Sequence, residues 1–278
     1  MSSRPFSTIV PGNGATSECI GVFDSGVGGL SVLRSLHARL PRVPITYIGD
    51  VAYAPYGERS EPEIIRRCER IVEHLKVQGA RLIVIACNTA TVIAIDILRK
   101  QWPDLTFVGV EPGIKPAVAQ SRGKRIALMS TPATAASARV RRLIEEHARG
   151  VQVHIQACPG LAGAIERGEL KGPGLRAMLE RPCASIRAMQ ADTVVLGCTH
   201  YPFVATQIQE MIGPDVMLID TASAIAERTA SIWQPKARIE GSHEKIARIF
   251  STGASRTMQM LLVQCPGFEQ LEVETLNI

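Results

Sequence analysis

At 278 residues the chain is long enough for one or two packed domains with a sizeable core. Hydrophobic residues at 46% and charged ones at 21% describe an ordinary soluble protein. No apolar run approaches the ~20 residues of a bilayer-crossing helix, so no membrane association is expected. The formal charge of +5 is dispersed, with Arg139, Arg141 and Arg142 followed by Glu145 and Glu146, and nucleic acid is not an expected partner. Seven cysteines, odd in number and without a Cys-x-x-Cys, suit a reducing cytoplasm. The six histidines include no close pair, so no metal site is expected.

Residues 1–18 carry Pro, Gly and Ser but no apolar block, and read as a flexible tail. Cys19 to Phe23 is a buried strand, and Asp24-Ser25-Gly26-Val27-Gly28-Gly29-Leu30 turns it into a helix over Ser31 to Leu40. A phosphate loop does not fit, because Ser31 stands where a third glycine would fall and no Gly-Lys-Ser follows. Asp24 beside a helix N-terminus would also repel a phosphate. The glycines let a ligand approach the backbone, free amides and the helix dipole favour a carboxylate, and Asp24 can receive an ammonium. Together these suit an amino acid; a helix cap is the competing reading of Asp24.

Val43 to Ile48 is the next strand, followed by a long loop through Tyr56 and Gly57, a good place for binding residues. Ser60 and Glu63 have capping-box spacing before a helix whose apolar stripe is Ile64, Cys68, Ile71, Val72 and Leu75. Leu82 to Ala86 is an apolar strand that ends at Cys87, the sequence then turns polar through Asn88-Thr89-Ala90, and Thr91 to Lys100 is helical. Leu105 to Val110 is a further strand, closed by Glu111-Pro112-Gly113.

The plan then restarts. Lys124 to Met129 is a strand before the hydroxyl-rich loop Ser130-Thr131-Pro132-Ala133-Thr134; Val151 to Ile155 is another strand, and Cys158-Pro159-Gly160 opens a short helix with Glu166. Gly172-Pro173 and Pro182 divide the next helical region. Thr193 to Leu196 runs into Gly197-Cys198-Thr199-His200-Tyr201-Pro202, repeating the strand-to-thiol pattern of Cys87. A helix from Phe203 to Ile212, a strand from Val216 to Ile219 and a helix from Thr221 to Trp233 follow, with final elements at Ile246 to Phe250 and Leu271 to Val273.

Nearly the same offset separates Ile20 from Ile126 and Cys87 from Cys198, which points to two similar α/β domains with mainly parallel sheets and a site in the cleft between them. The expected boundaries are 19–112 with 222–278 for the domain carrying Cys87, and 113–221 for the one carrying Cys198. Ligands of open α/β sheets sit at the carboxyl ends of strands, where both thiols fall. Cys87 and Cys198 also both stand at expected helix starts, a setting that lowers a thiol's pKa from its usual ~8.5. A nucleophile, a redox pair and an acid/base pair compete as their use. A nucleophile leaves the second thiol unexplained, and a redox pair needs the sulfurs almost touching. An acid/base pair needs one thiol on each face of a substrate carbon, which facing halves provide; removing a proton from one face and returning it to the other is racemisation. No lysine lies in the site loops to form a Schiff base, so no cofactor is expected. Two buried structural cysteines remain an open alternative.

The motifs Val22-Phe23-Asp24-Ser25-Gly26-Val27-Gly28-Gly29-Leu30, Pro55-Tyr56-Gly57, Ala86-Cys87-Asn88-Thr89-Ala90 and Gly197-Cys198-Thr199-His200-Tyr201-Pro202 together resemble the cofactor-independent aspartate/glutamate racemases, and most closely the glutamate racemases among them. The resemblance spans about Ile20 to Gly253. It implies interconversion of L- and D-glutamate in the cytoplasm, supplying D-glutamate for peptidoglycan, and leaves a homodimer open. It implies that Cys87 and Cys198 are the acid/base residues, assisted by Asp24 and His200 in turn, with Glu166 at the family's acidic position. It places Asp24, Ser25, Tyr56, Gly57, Asn88, Thr89, Thr199 and His200 on the substrate, with Thr131 and Thr134 as further contacts. Gly160, Ala162 and Gly163 are small where family members carry bulkier residues, and Ala133 stands where a Gly is common. Aspartate or a related small acid as substrate, and a non-catalytic regulatory or interaction role, are the alternatives.

Overall fold

A computed structural model describes residues 18–234 and 247–278; apart from Glu18, the expected tail lies outside the described residues, as does Ile246 at the start of one expected strand. The strands are β1 (Cys19–Asp24), β2 (Ile45–Gly49), β3 (Ala80–Ile85), β4 (Thr106–Gly109), β5 (Arg125–Ser130), β6 (Gln152–Ala157), β7 (Thr193–Leu196), β8 (Met217–Ile219), β9 (Ala247–Ser251) and β10 (Val273–Thr275). They form a six-stranded sheet in the order β10-β9-β2-β1-β3-β4 and a four-stranded sheet in the order β6-β5-β7-β8. Every pairing is parallel. The order β2-β1-β3-β4 is the same as β6-β5-β7-β8, so the repeat read from the sequence is present in the topology.

Parallel sheets are covered on both faces, which is why β1 and β2 are buried at every residue and read as nearly unbroken apolar runs. In register, Asp24 pairs with Gly49 and Phe23 with Ile85, so β1, β2 and β3 end together. In the other sheet Met129 pairs with Leu196, and β5 and β7 end together. Asp24, Asp50, Cys87, Thr131 and Cys198 therefore all lie at or just beyond the carboxyl ends of strands. The helix Ala222–Ile232 packs on the helix Leu30–Arg39, and β9 then joins β2, which returns the chain to the first sheet. The largest buried apolar cluster includes Ile20, Leu33 and Leu36 from the first lobe and Met129, Leu196 and Val204 from the second, joined by Ala222, Ile225 and Ala226. Truncating a fully buried leucine such as Leu36 to Ala in this cluster costs about 2–5 kcal/mol.

Two local expectations are corrected, and a helix without an expectation appears near the end of the chain. Pro182 does not divide its segment, because one helix runs through it from Pro173 to Ala188. Leu175, Leu179, Pro182, Cys183 and Ile186 form a buried stripe at helical spacing, and its packing outweighs the one backbone bond that proline forfeits. Ser60 is the N-cap of Glu61–Val77 but makes no side-chain cap bond; Glu63 instead pairs with Arg59 at 3.6 Å. The helix Arg256–Leu262 was not anticipated; its buried Met258, Leu261 and Leu262 are too few to stand out as a period.

Candidate active site

Cys87 has extended dihedrals, φ −139° and ψ 118°, and is the N-cap of the helix Asn88–Gln101. Its Sγ accepts from the Ala90 N–H at 3.5 Å and lies 3.8 Å from Ser25 Oγ. A helix start was expected to lower this thiol's pKa. Burial instead pushes it far above the ordinary range, and the neighbouring Asp24 charge adds to that, outweighing the Ala90 and Ser25 hydrogen bonds.

Asp24 does not cap the following helix, whose N-cap is Gly29 without a side-chain bond. Its Oδ1 accepts from the Gly26 N–H at 2.7 Å, and its Oδ2 accepts from Thr199 Oγ1 of the other lobe at 3.1 Å. Burial raises its pKa, and the charge of Glu166 raises it further against the opposing pull of His200. Asp24 thus stands between the surroundings of the two thiols, close to Cys87 and bonded to the residue after Cys198.

Cys198 precedes a 3-10 turn over Tyr201–Val204, not the α-helix start that was expected. Its Sγ is 3.6 Å from His200 Nδ1, and His200 Nε2 is 2.5 Å from Glu166 Oε1. Burial alone would lower the His200 pKa; the contacts with Cys198 and Glu166 outweigh it and hold the imidazolium well above its usual range. Glu166 is carried by the helix Leu161–Glu166, which Gly160 opens with a left-handed φ of 75°. Its Oε1 also accepts from the Val27 N–H at 2.8 Å, across the cleft, while its Oε2 is buried without a partner.

The hydroxyls expected on the substrate gather at the same interface. Thr89 Oγ1 lies 3.0 Å from Thr131 Oγ1 and 3.4 Å from Thr134 Oγ1, and Gly57 seats so closely on Thr131 that a Cβ there would lie 2.8 Å from the threonine Cβ. Asn88 donates from Nδ2 to the Val110 carbonyl at 3.1 Å. Tyr56 is buried nearby, but its hydroxyl donates to Asp50 Oδ2 at 2.6 Å. Asp50 was not singled out from the sequence, nor was Arg67, which forms a buried ion pair with it.

Asp24, Ser25, Cys87, Asn88, Thr89, Thr199 and His200 are all buried, so this closed arrangement of the lobes shields them from solvent. Two clefts of about 460 and 470 Å³ lie elsewhere and border neither thiol, so chemistry and not size locates the site. Asp24, Glu166 and His200 offer ligand atoms within 4.8 Å of one another. Both His200 nitrogens are already engaged, by Cys198 and by Glu166, in an arrangement suited to moving protons.

Paired strand-end thiols in a doubled parallel α/β fold suit an enzyme that works on both faces of one carbon, and the chain belongs to the Asp/Glu/Hydantoin racemase family, whose model matches residues 20–229 and which works without PLP. Among curated relatives, a glutamate racemase of Pseudomonas aeruginosa is 44% identical over 246 residues, 88% of this chain and 93% of its own. One from Herpetosiphon aurantiacus is 50% identical over 210 residues, 76% of this chain and 82% of its own. The fold matches Escherichia coli glutamate racemase, solved with L-glutamate and the activator UDP-MurNAc-Ala, at a TM-score of 0.81 and 30% identity over 93% of this chain and 98% of that one. It matches the Bacillus anthracis isoform RacE1 at a TM-score of 0.80 and 29% identity over 95% and 98%.

Proposed function

We propose that this chain interconverts L- and D-glutamate, with Cys87 and Cys198 as the two acid/base groups on opposite faces of the substrate Cα. The observation that carries the reading is that both thiols belong to one buried site joined by Asp24, with a carboxylate and a hydroxyl beside Cys87 and an imidazole and a carboxylate beside Cys198. The identity to glutamate racemases over nearly the whole chain supports glutamate as the substrate.

The thiolate of one cysteine removes the Cα proton, the electron pair is delocalised into the α-carboxylate, and the thiol of the other cysteine delivers its proton to the opposite face. The charged His200 lies against the Cys198 sulfur, and Glu166 keeps that imidazolium charged and oriented. The substrate ammonium sits at Asp24; the amides at the start of Asn88–Gln101, with Asn88, Thr89 and Thr199, receive a carboxylate. Ser25, Tyr56, Gly57, Thr131 and Thr134 complete the binding surface.

The product D-glutamate serves peptidoglycan synthesis, and seven free, buried cysteines suit the cytoplasm as the place of work. No helix of the described residues is long and apolar enough to cross a membrane. Incubation with L-glutamate in heavy water is expected to place deuterium on Cα and generate the D isomer. Cys87→Ser and Cys198→Ser are each expected to lose about 10²–10⁴-fold in racemisation. Full activity in both variants would end the two-thiol reading.

A further inference from the structure

The loop after β2 is held from behind by a single buried carboxylate. Asp50 accepts four side-chain hydrogen bonds, from Tyr56 Oη at 2.6 Å, Thr252 Oγ1 at 2.7 Å, Arg67 Nη2 at 2.8 Å and Arg67 Nε at 3.0 Å. Its own N–H donates to the Asp24 carbonyl at 2.9 Å. Arg67 is only 4% exposed and stands on the apolar stripe of its helix, beside Ile64, Cys68 and Ile71. Its Nη1 donates to the Ile278 carbonyl at 2.8 Å, and its guanidinium lies 4.0 Å from the Tyr53 ring centroid. The guanidinium thus grips both the first turn of the loop, through Tyr53, and the second, through Asp50 and Tyr56. Beyond that turn, Tyr56 shares a buried cluster with Phe23 and Cys87, while Gly57 meets Thr131 of the other lobe.

We propose that Arg67 is a positioning residue for racemisation: through Asp50 it fixes the Tyr56–Gly57 turn against the Cys87 side of the site, so its loss slows proton transfer at Cys87 more than at Cys198. The inference rests on the two-thiol glutamate racemase reading above. The arrangement needs arginine, because one planar fork donates to both oxygens of Asp50 while its face stacks on Tyr53; lysine supplies the charge without the fork. Asp50 then presents its remaining lone pairs to Tyr56 and Thr252 in fixed directions. A turn released from these constraints shifts relative to Cys87, and displacement of about 1 Å at a reacting geometry costs on the order of 10²-fold in rate.

The test measures kcat, KM and the primary deuterium isotope effect at Cα separately for L- and D-glutamate, in the full chain and in Arg67→Met, Arg67→Lys and Tyr56→Phe. Tyr56→Phe removes only the hydroxyl that reaches Asp50, and serves if Arg67→Met does not fold. Arg67→Met is expected to lose about 10- to 100-fold in kcat with a smaller change in KM, Arg67→Lys to fall between it and the unaltered enzyme, and Tyr56→Phe to lose about tenfold. In each folded variant the isotope effect should rise for the enantiomer that Cys87 deprotonates and fall for the other. A purely structural role lowers the amount of folded enzyme and leaves both isotope effects where they were. Isotope effects unchanged, or raised for both enantiomers, would overturn the assignment. Failure of the unaltered chain to racemise glutamate would overturn the underlying reading instead.

Discussion

Gly28 lies where the two lobes press directly on each other, so adding one methyl group there tests whether closure builds the site. A Cβ on Gly28 would overlap His200 Nδ1 and Cε1 and Thr199 Oγ1. Neither neighbour is free to retreat: His200 is held by Cys198 and Glu166, and Thr199 by Asp24. Overpacking of this kind costs about 1–3 kcal/mol, and the cost falls on the closed arrangement because parting the lobes relieves it. If closure precedes chemistry, Gly28→Ala lowers kcat/KM by about 5- to 150-fold. The thermal midpoint should move little by comparison. Gly174→Ala is the control, since its Cβ would meet nothing within 4 Å. Rates followed by circular dichroism of L-glutamate, with unfolding curves for each variant, decide the matter. Gly28→Ala with unaltered kcat/KM, or an equal loss in Gly174→Ala, would refute the argument that the closed contact is the working one.

Glu166→Gln keeps the shape but removes the charge that helps hold His200 protonated, so the alkaline fall in kcat is expected to move to lower pH, read from pH–rate profiles. The same linkage appears in stability: a histidine with a raised folded pKa contributes fully below its unfolded value and loses that contribution as pH rises through the folded one, so the variant's deficit should be largest below pH ~6.5. Asp50→Ala leaves the buried Arg67 cation without its carboxylate and is expected to cost roughly 3–5 kcal/mol in urea unfolding. Tyr47→Phe removes the hydroxyl that donates to the Gly26 carbonyl at 2.7 Å, and should cost about 1–3 kcal/mol by the same measurement.

The strands and the thiols were legible because both are local: an apolar run that stops at Cys87 or Cys198 marks a strand end whatever surrounds it. The doubled topology followed from the spacing of those ends. What sequence could not provide was the docking of one lobe on the other. Glu166 reaches the Val27 amide and His200 crowds Gly28 across long chain separations, and no periodicity encodes such pairings. The thiol environment was misread for a related reason, since a helix N-terminus is visible in the sequence while the complete burial that outweighs it at Cys87 is a tertiary property. Arg67 is the one omission that carried a signal. It interrupts the stripe Ile64, Cys68, Ile71 at a helix-facing position, and a cation on an apolar stripe calls for a buried anion; Asp50 was already in the long loop expected to bind.

The charges of the closed site explain why an amino acid should activate its own base. Burial pushes up both the Asp24 carboxyl and the Cys87 thiol, and the Asp24 charge raises the thiol further. Neither group ionises easily while the other stands unneutralised beside it. An ammonium received by Asp24 enters that unfavourable field with the opposite sign. At 4 Å and an effective dielectric constant of 20, one such charge is worth about 4 kcal/mol. That corresponds to about a thousandfold in the thiolate population. At Cys198 the equivalent cation is already built in, as His200 held by Glu166. The two faces of the site are therefore unlike in their protein groups, and on the proposed reading the substrate's own ammonium supplies on the Cys87 side what the imidazolium supplies on the other. On that reading, proton abstraction at Cys87 is tied to the presence of an α-amino acid, the one kind of ligand whose carbon is to be inverted.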